Sequence, residues 1–257
     1  MDAWLVDLDQ VAPQDISAHY PEGLTEEELR RGAEFVHARA AHRFFRARLT
    51  VRRLLAERLG IAAHDLRIAY DPAGKPYLPD QPGTHVSWSR SDGLLLLGAT
   101  ETGPIGVDVE LVRPATSSLD VLAFVYPGVP DGVGAGTFFH AWTLLEAAVK
   151  ATGRGLADGA REVDLAFGPD GSVTLRGITG HGPLPWHGHT ALQPTRQDCP
   201  WAMTAFVSRE LPPVTVLTWP DRADDLVRSP ARSRALPPAG SPAGSPAGSP
   251  AEGIRRR

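Results

Sequence analysis

Between Gly103 and Leu156 the chain passes from a two-residue periodicity to a helical one, and both segments carry acids. Ile105, Val107, Val109 and Leu111 alternate with Gly106, Asp108 and Glu110, the pattern of a strand with one buried face. Side chains alternate across a strand, so Asp108 and Glu110 share a face, roughly 7 Å apart. Two carboxylates so close repel each other unless a proton or a cation lies between them. The second segment, Trp142 to Thr152, reads as a helix. Glu146 and Lys150 are four apart and share a face, while Leu145, Ala148, Val149 and Thr152 can turn toward a core. Gly153 and Gly155 follow, where a left-handed C-cap is usual. If this helix packs over the strand, Glu146 joins Asp108 and Glu110 as a third oxygen donor. Three hard carboxylates with open positions suit Mg²⁺. The same spacing also describes solvated acids on an edge strand and a surface ion pair on a helix, and spacing alone leaves both open.

The 257 residues suffice for one large domain or two small ones, with 42% apolar content to build a core. A net charge of −4 argues against nonspecific nucleic-acid binding. Cys199 is the single cysteine, which excludes an internal disulfide and suits a reducing cytoplasm. The start, Met1 to Asp7, lacks the basic residues and long apolar run of a signal peptide. The longest apolar run, near Leu94 to Leu97, is too short for a bilayer. The composition therefore points to a cytoplasmic protein with neither a membrane nor a nucleic-acid partner.

Residues 3–8 form a first strand by pattern. Thr25 before Glu26, Glu27 and Glu28 is an N-cap followed by an acidic first turn. Two helices then reach Leu59, rich in arginine at positions 39, 43, 46, 48, 52, 53 and 58, which read as a solvated face. Asp71-Pro72-Ala73-Gly74 is turn chemistry, which makes Lys75 a loop lysine. Thr84 to Ser89 and Leu94 to Thr100 are strand-like runs joined by Arg90-Ser91-Asp92-Gly93, a hairpin signal. After Leu156, the runs at residues 162–167, 172–175, 202–207 and 214–219 read as antiparallel strands. His181, His187 and His189 invite a metal reading, but their Gly- and Pro-rich setting reads better as a flexible loop. Pro238-Ala239-Gly240-Ser241 opens a Ser-Pro-Ala-Gly repeat with nothing to bury, and residues from about 228 onward read as disordered.

Gly106-Val-Asp-Val-Glu110 and, further along, Trp142-x-x-x-Glu146-x-x-x-Lys150-x-x-Gly153-x-Gly155-Leu156 resemble the signature of 4'-phosphopantetheinyl transferases of the surfactin-synthetase-activating type. Gly74-Lys75-Pro76 resembles that family's Gly-Lys-Pro segment. Ser87-Trp88-Ser89-Arg90-Ser91 stands in the place of its Asn-x-Ser-His-Ser, and Arg48 to Ala56 resembles its first conserved helix. The likeness runs over about residues 20–160. Two departures stand out: Arg90 occupies a histidine position, and Leu145 replaces a lysine before the metal-binding glutamate.

The resemblance implies an α+β fold of two similar halves, each a small antiparallel sheet packed with a long helix, and an active site between them. The halves would be residues 1–102, on the coenzyme A phosphate side, and residues 103–227, carrying the Mg²⁺ motifs, with residues 228–257 as a tail. It implies Mg²⁺-dependent transfer of the 4'-phosphopantetheine arm from coenzyme A to a serine of an acyl or peptidyl carrier protein, with 3',5'-ADP leaving. Asp108, Glu110 and Glu146 would hold the metal, and Glu146 and Lys150 would be catalytic, Lys150 steadying charge or deprotonating the serine. Arg31, Lys75, Ser89, Arg90, Asp108 and Lys150 would contact coenzyme A. The basic arginines and Arg154 would dock an acidic carrier, and the enzyme would work as a monomer. Arg90 can hold phosphate but cannot give up its proton, so it has no acid–base duty. The family's base, carried between Ala115 and Thr137, has no counterpart that can be placed here. A different Mg²⁺-dependent phosphotransferase, or a non-catalytic relative that binds coenzyme A or a carrier protein, are the alternatives.

Overall fold

The computed structural model describes residues 1–11, 23–113, 118–126, 128–130, 135–197, 199–210 and 214–219. The expected disordered tail lies outside them. The described chain is α+β, with helices outside two facing sheets. The first sheet contains β1 (Asp2–Asp7), β4 (His85–Ser91), β5 (Leu94–Thr100) and β11 (Thr215–Trp219), in the order β11-β1-β5-β4. The second contains β6 (Ile105–Leu111), β9 (His187–Pro194) and β10 (Trp201–Ser208), in the order β6-β10-β9. Two short hairpins complete the strands, β2 (Ala69–Tyr70) with β3 (Pro76–Tyr77), and β7 (Val163–Phe167) with β8 (Val173–Ile178).

The helices begin with α1 (Glu26–Ala33) and α2 (Ala38–Leu59), followed by α3 (Ser118–Val125), α4 (Ala135–Thr152) and α5 (Leu156–Gly159). The α1 start is a reciprocal capping box, with the Thr25 hydroxyl accepting from the Glu28 N–H and the Glu28 carboxylate accepting from the Thr25 N–H. Gly60 ends α2 in the left-handed region, at φ 67°, and Gly153 does the same for α4 at φ 72°.

Alternation in the strands builds the layers. Ile105, Val107, Val109 and Leu111 of β6 face Ala3, Leu5, Leu94 and Leu96 of the first sheet. On that sheet's other face, Val86, Leu95, Leu97 and Ala99 pack against Leu54 and Leu55 of α2. Met203, Ala205 and Val207 of β10 pack against Leu144, Ala148 and Ala151 of α4. The layers therefore run α2, first sheet, second sheet, α4, and the polar face of β6 lies against α4.

Two glycines permit this stacking. A Cβ at Gly106 would collide with the Ala147 carbonyl oxygen and the Ala151 nitrogen, so glycine lets strand and helix backbones touch. A Cβ at Gly98 would lie 2.8 Å from Val107 Cγ1.

The structure departs from the sequence reading at several strands. β4 continues through Ser91, so the hairpin turn is Asp92-Gly93 alone, with Asp92 at φ 50°. Arg90 is therefore a strand residue. The run near Val214 pairs parallel, not antiparallel, with β1, returning the chain to the first sheet. His187 and His189 belong to β9, an edge strand laddered to β10 through backbone bonds, rather than to a flexible loop. His181 Nε2 also has a carboxylate, Glu162 Oε2, at 3.0 Å.

Candidate active site

The two sheets meet where β4 passes β6, and serine hydroxyls bridge them. Ser87 Oγ accepts from the Val107 N–H at 3.1 Å, and Ser91 Oγ accepts from the Leu111 N–H at 3.2 Å. Ser91 Oγ also donates to Glu110 Oε2 at 2.7 Å. Ser89 Oγ donates to Asp108 Oδ1 at 2.6 Å. One alternating face of β4 thus holds the polar edge of β6.

From the other side, α4 delivers Lys150. Its ammonium lies 2.5 Å from Asp108 Oδ1, 2.9 Å from Ser89 Oγ and 3.8 Å from Glu146 Oε2. Burial pushes the Asp108 carboxyl up, and Lys150 and Ser89 pull it back. Burial likewise raises Glu110, which Ser91 opposes and Asp108 reinforces. Glu146 is raised by burial and by Asp108, against Lys150. Three carboxyls feel one another's charge, and one ammonium serves them.

The expected metal group is only partly assembled. Among the described residues no three His, Cys, Asp or Glu side chains converge closely enough to hold a metal ion. In this arrangement Lys150 holds Asp108 Oδ1, and Ser91 holds Glu110 Oε2. The donor chemistry nevertheless fits Mg²⁺. All three are hard oxygen donors, and the buried Asp108 Oδ2 has no hydrogen-bond partner among the described residues.

A cleft of about 570 Å³ opens beside Glu146 and Lys150 and runs toward α1 and α2, where Arg31, Phe44, Arg48, Tyr70 and Trp88 line it. Arg48 is fixed there by three rings, its guanidinium carbon lying 5.2 Å from the Phe44 centroid and 5.7 Å from those of Tyr70 and Trp88. It donates to the Tyr70 hydroxyl at 2.7 Å. Arg90 approaches the same Phe44 ring, at 5.8 Å. Partial burial and the positive charges of Arg48 and Arg31 push the Arg90 pKa down. Glu28, 3.9 Å from Arg48 and 3.2 Å from Arg52, offsets part of this charge.

The structure thus brings Arg31 to one end of the cleft, with Arg90 on the Phe44 ring beside it, and Glu146 and Lys150 to the other with Asp108 behind Lys150. The Ser89 hydroxyl is committed to Asp108 and Lys150. The Lys75 ammonium points to backbone carbonyls of Ile105, Lys150 and Ala151. Arg48 was missed, because within an arginine-rich helix nothing in the spacing separates it from its neighbours. Those neighbours are paired, and apart from the exposed Arg39 they are largely covered: Arg39 and Arg43 with Asp9, Arg52 with Glu28, Arg53 with Glu57, and Arg58 with Asp2 and Glu101. Arg154 pairs with Glu162 at 3.2 Å. Leu145, at the position where a lysine was expected, is fully buried in the core beneath α4.

Comparison with known proteins agrees with this geometry. Residues 104–204, from β6 into β10, match the model of the 4'-phosphopantetheinyl transferase superfamily. The 4'-phosphopantetheinyl transferase HetI of Nostoc sp. is 34% identical over 187 residues, spanning 67% of this chain and 76% of that protein. The 4'-phosphopantetheinyl transferase Sfp of Bacillus subtilis is 24% identical over 182 residues, spanning 68% of this chain and 81% of the relative. A phosphopantetheinyl transferase of Thraustochytrium sp. is 27% identical and spans 70% of each chain. With the strand–helix acid motif, the bridging serines and these relatives in agreement, the chain belongs to the 4'-phosphopantetheinyl transferase superfamily.

Proposed function

We propose that this protein transfers the 4'-phosphopantetheine arm of coenzyme A to a serine hydroxyl of an acyl or peptidyl carrier protein and releases 3',5'-ADP. The observation that carries the reading is the polarity of the cleft. Arg31 and Arg48 line one end, with Arg90 beside them across the Phe44 ring, and Glu146 and Lys150 line the other, where the Lys150 ammonium bonds the buried Asp108 carboxyl. A ligand that is anionic at one end and delivers a phosphoryl centre to a metal-binding end matches both.

In this reading the arginines grip coenzyme A phosphates, which suits a guanidinium that can bond an oxyanion bidentately. Asp108, Glu110 and Glu146 would hold Mg²⁺, which supplies polarisation of the attacked phosphorus and neutralisation of the leaving phosphate when bound. Lys150 donates to phosphoryl oxygens, and Ser89 orients Lys150 and Asp108. The carrier serine oxygen bonds to phosphorus as the pyrophosphate P–O bond breaks; 3',5'-ADP leaves with the electron pair, and the hydroxyl proton passes to solvent. Phosphoryl transfer is driven mostly by positioning and charge stabilisation, so the absence of an assigned base does not oppose the reaction.

The division into two similar halves at residues 102/103 belongs to the same proposal, supported by a long helix on the outer face of each sheet. So do monomeric action and a cytoplasmic site. Among the described residues no helix is long and apolar enough to cross a membrane. The test is whether an apo carrier protein gains the arm from coenzyme A in the presence of Mg²⁺. No gain in mass would overturn the proposal.

A further inference from the structure

Lys75 sits in the tight loop between β2 and β3, where Asp71 Oδ1 accepts from the Ala73 and Lys75 N–H groups at 2.9 and 2.8 Å. This loop belongs to the first half of the chain, yet its ammonium reaches the second. Nζ lies 2.5 Å from the Ala151 carbonyl oxygen, 2.8 Å from that of Lys150 and 3.2 Å from that of Ile105. An ammonium has three N–H donors, and three carbonyls take them.

Two of those carbonyls are at the C-terminal end of α4, where the last turn lacks intrahelical donors and carries partial negative charge. The third is the first residue of β6. Those two elements carry Asp108, Glu110 and Glu146, the three acids expected to hold the metal. The fit is close: a Cβ at Gly153 would lie 3.3 Å from Lys75 Cδ and 3.4 Å from Asp71 Oδ2. Burial draws the Lys75 pKa down to about 8, which leaves the group charged at pH 7.

We infer that Lys75 is a positioning residue, a strut that pins the end of α4 to the start of β6 and so sets the Lys150 ammonium against Asp108. It acts through backbone carbonyls and spends no hydrogen on coenzyme A phosphate. This inference rests on the transfer reading for its kinetic consequence but not for its structural one.

The test compares the full-length chain with its Lys75→Met variant by three readings. Hydrogen exchange followed by mass spectrometry should show faster exchange confined to peptides covering residues 147–153 and the start of β6. The kcat for carrier modification should fall by about a hundredfold, as expected for misplaced catalytic groups. The Kd for coenzyme A should stay close to that of the parent. Lys75→Arg, which keeps a charged donor group, should restore exchange protection and part of kcat. Should the Met variant fail to fold, the same readings on Lys75→Gln decide. Unchanged exchange at the α4 end, with a Kd raised by tenfold or more as expected for a lost charge-assisted bond, would overturn the inference and make Lys75 a phosphate ligand. Because hydrogen exchange needs no turnover, an inactive parent chain would refute the transfer reading without touching the strut.

Discussion

Ser89 donates to Asp108 across the seam between the two sheets at 2.6 Å, and the same hydroxyl accepts from Lys150 at 2.9 Å. A strand of the first sheet therefore orients the ion pair formed by the second sheet and α4. The site depends on the seam as much as on the acids.

Asp108→Ala should reduce Mg²⁺-dependent transfer by about a hundredfold or more, the scale for losing one preorganised electrostatic group. The fold should survive, since the lost carboxylate is one that burial disfavours. Near-parental turnover at saturating Mg²⁺ would refute its role.

The seam itself can be tested at Ser87, which is 3% exposed and whose hydroxyl accepts from the Val107 N–H. Ser87→Ala leaves that buried N–H unpaired, a cost of about 1–3 kcal/mol. For a chain of this size each kcal/mol lowers Tm by roughly 2–4 °C. An unchanged Tm in a calorimetric scan would show that the bridge contributes nothing.

Glu110 tests the conflict between stability and function. Its folded pKa is raised above its unfolded value, chiefly by burial. The folded state then binds more protons than the unfolded state between those two values, so the group's contribution to stability falls as pH rises through that window. Glu110→Gln should raise Tm at pH 7, lose that gain below the ordinary glutamate pKa, and impair Mg²⁺-dependent transfer. A lower Tm at pH 7 would contradict the sign.

Arg48 and Arg90 share the Phe44 ring and no carboxylate bridges them among the described residues. Their mutual repulsion is relieved if an anion binds between them. Arg90→Ala should weaken coenzyme A binding by about 1.5–3 kcal/mol, the worth of a charge-assisted hydrogen bond. Arg48→Met should do likewise, and both losses should shrink at high salt. Calorimetry with coenzyme A and its 3'-dephospho form separates the phosphates, since a contact to the 3'-phosphate alone loses its effect with the dephospho form.

What was legible in the sequence was local. Ile105 to Leu111 and Trp142 to Thr152 announce a strand and a helix because their apolar residues recur at the strand and helix periods, although α4 covers the polar face of β6 as well. The Thr25 cap was readable because a capping box is complete within four residues. Arg48 was not, since its role comes from Phe44, Tyr70 and Trp88 converging from three elements. Neither was the parallel return of the last strand to β1, because direction of pairing leaves no mark on a short apolar run. The edge strand β9 hid for a related reason: it is held by backbone bonds to β10, and its exposed side chains follow no two-residue rhythm. The likeness to a family motif singled out Lys75 as a coenzyme A contact, while its side chain turns toward helix carbonyls that only the fold brings near.

The most direct measurement of the central claim is intact-mass spectrometry of an apo carrier protein after incubation with the full-length chain, coenzyme A and Mg²⁺, with 3',5'-ADP followed in the same mixture. Transfer predicts a carrier heavier by one phosphopantetheine, modified at its serine, with an equal quantity of 3',5'-ADP. A carrier of unchanged mass beside intact coenzyme A would contradict the account and mark a chain that binds without turnover, while 3',5'-ADP released without any carrier would mark a hydrolase instead.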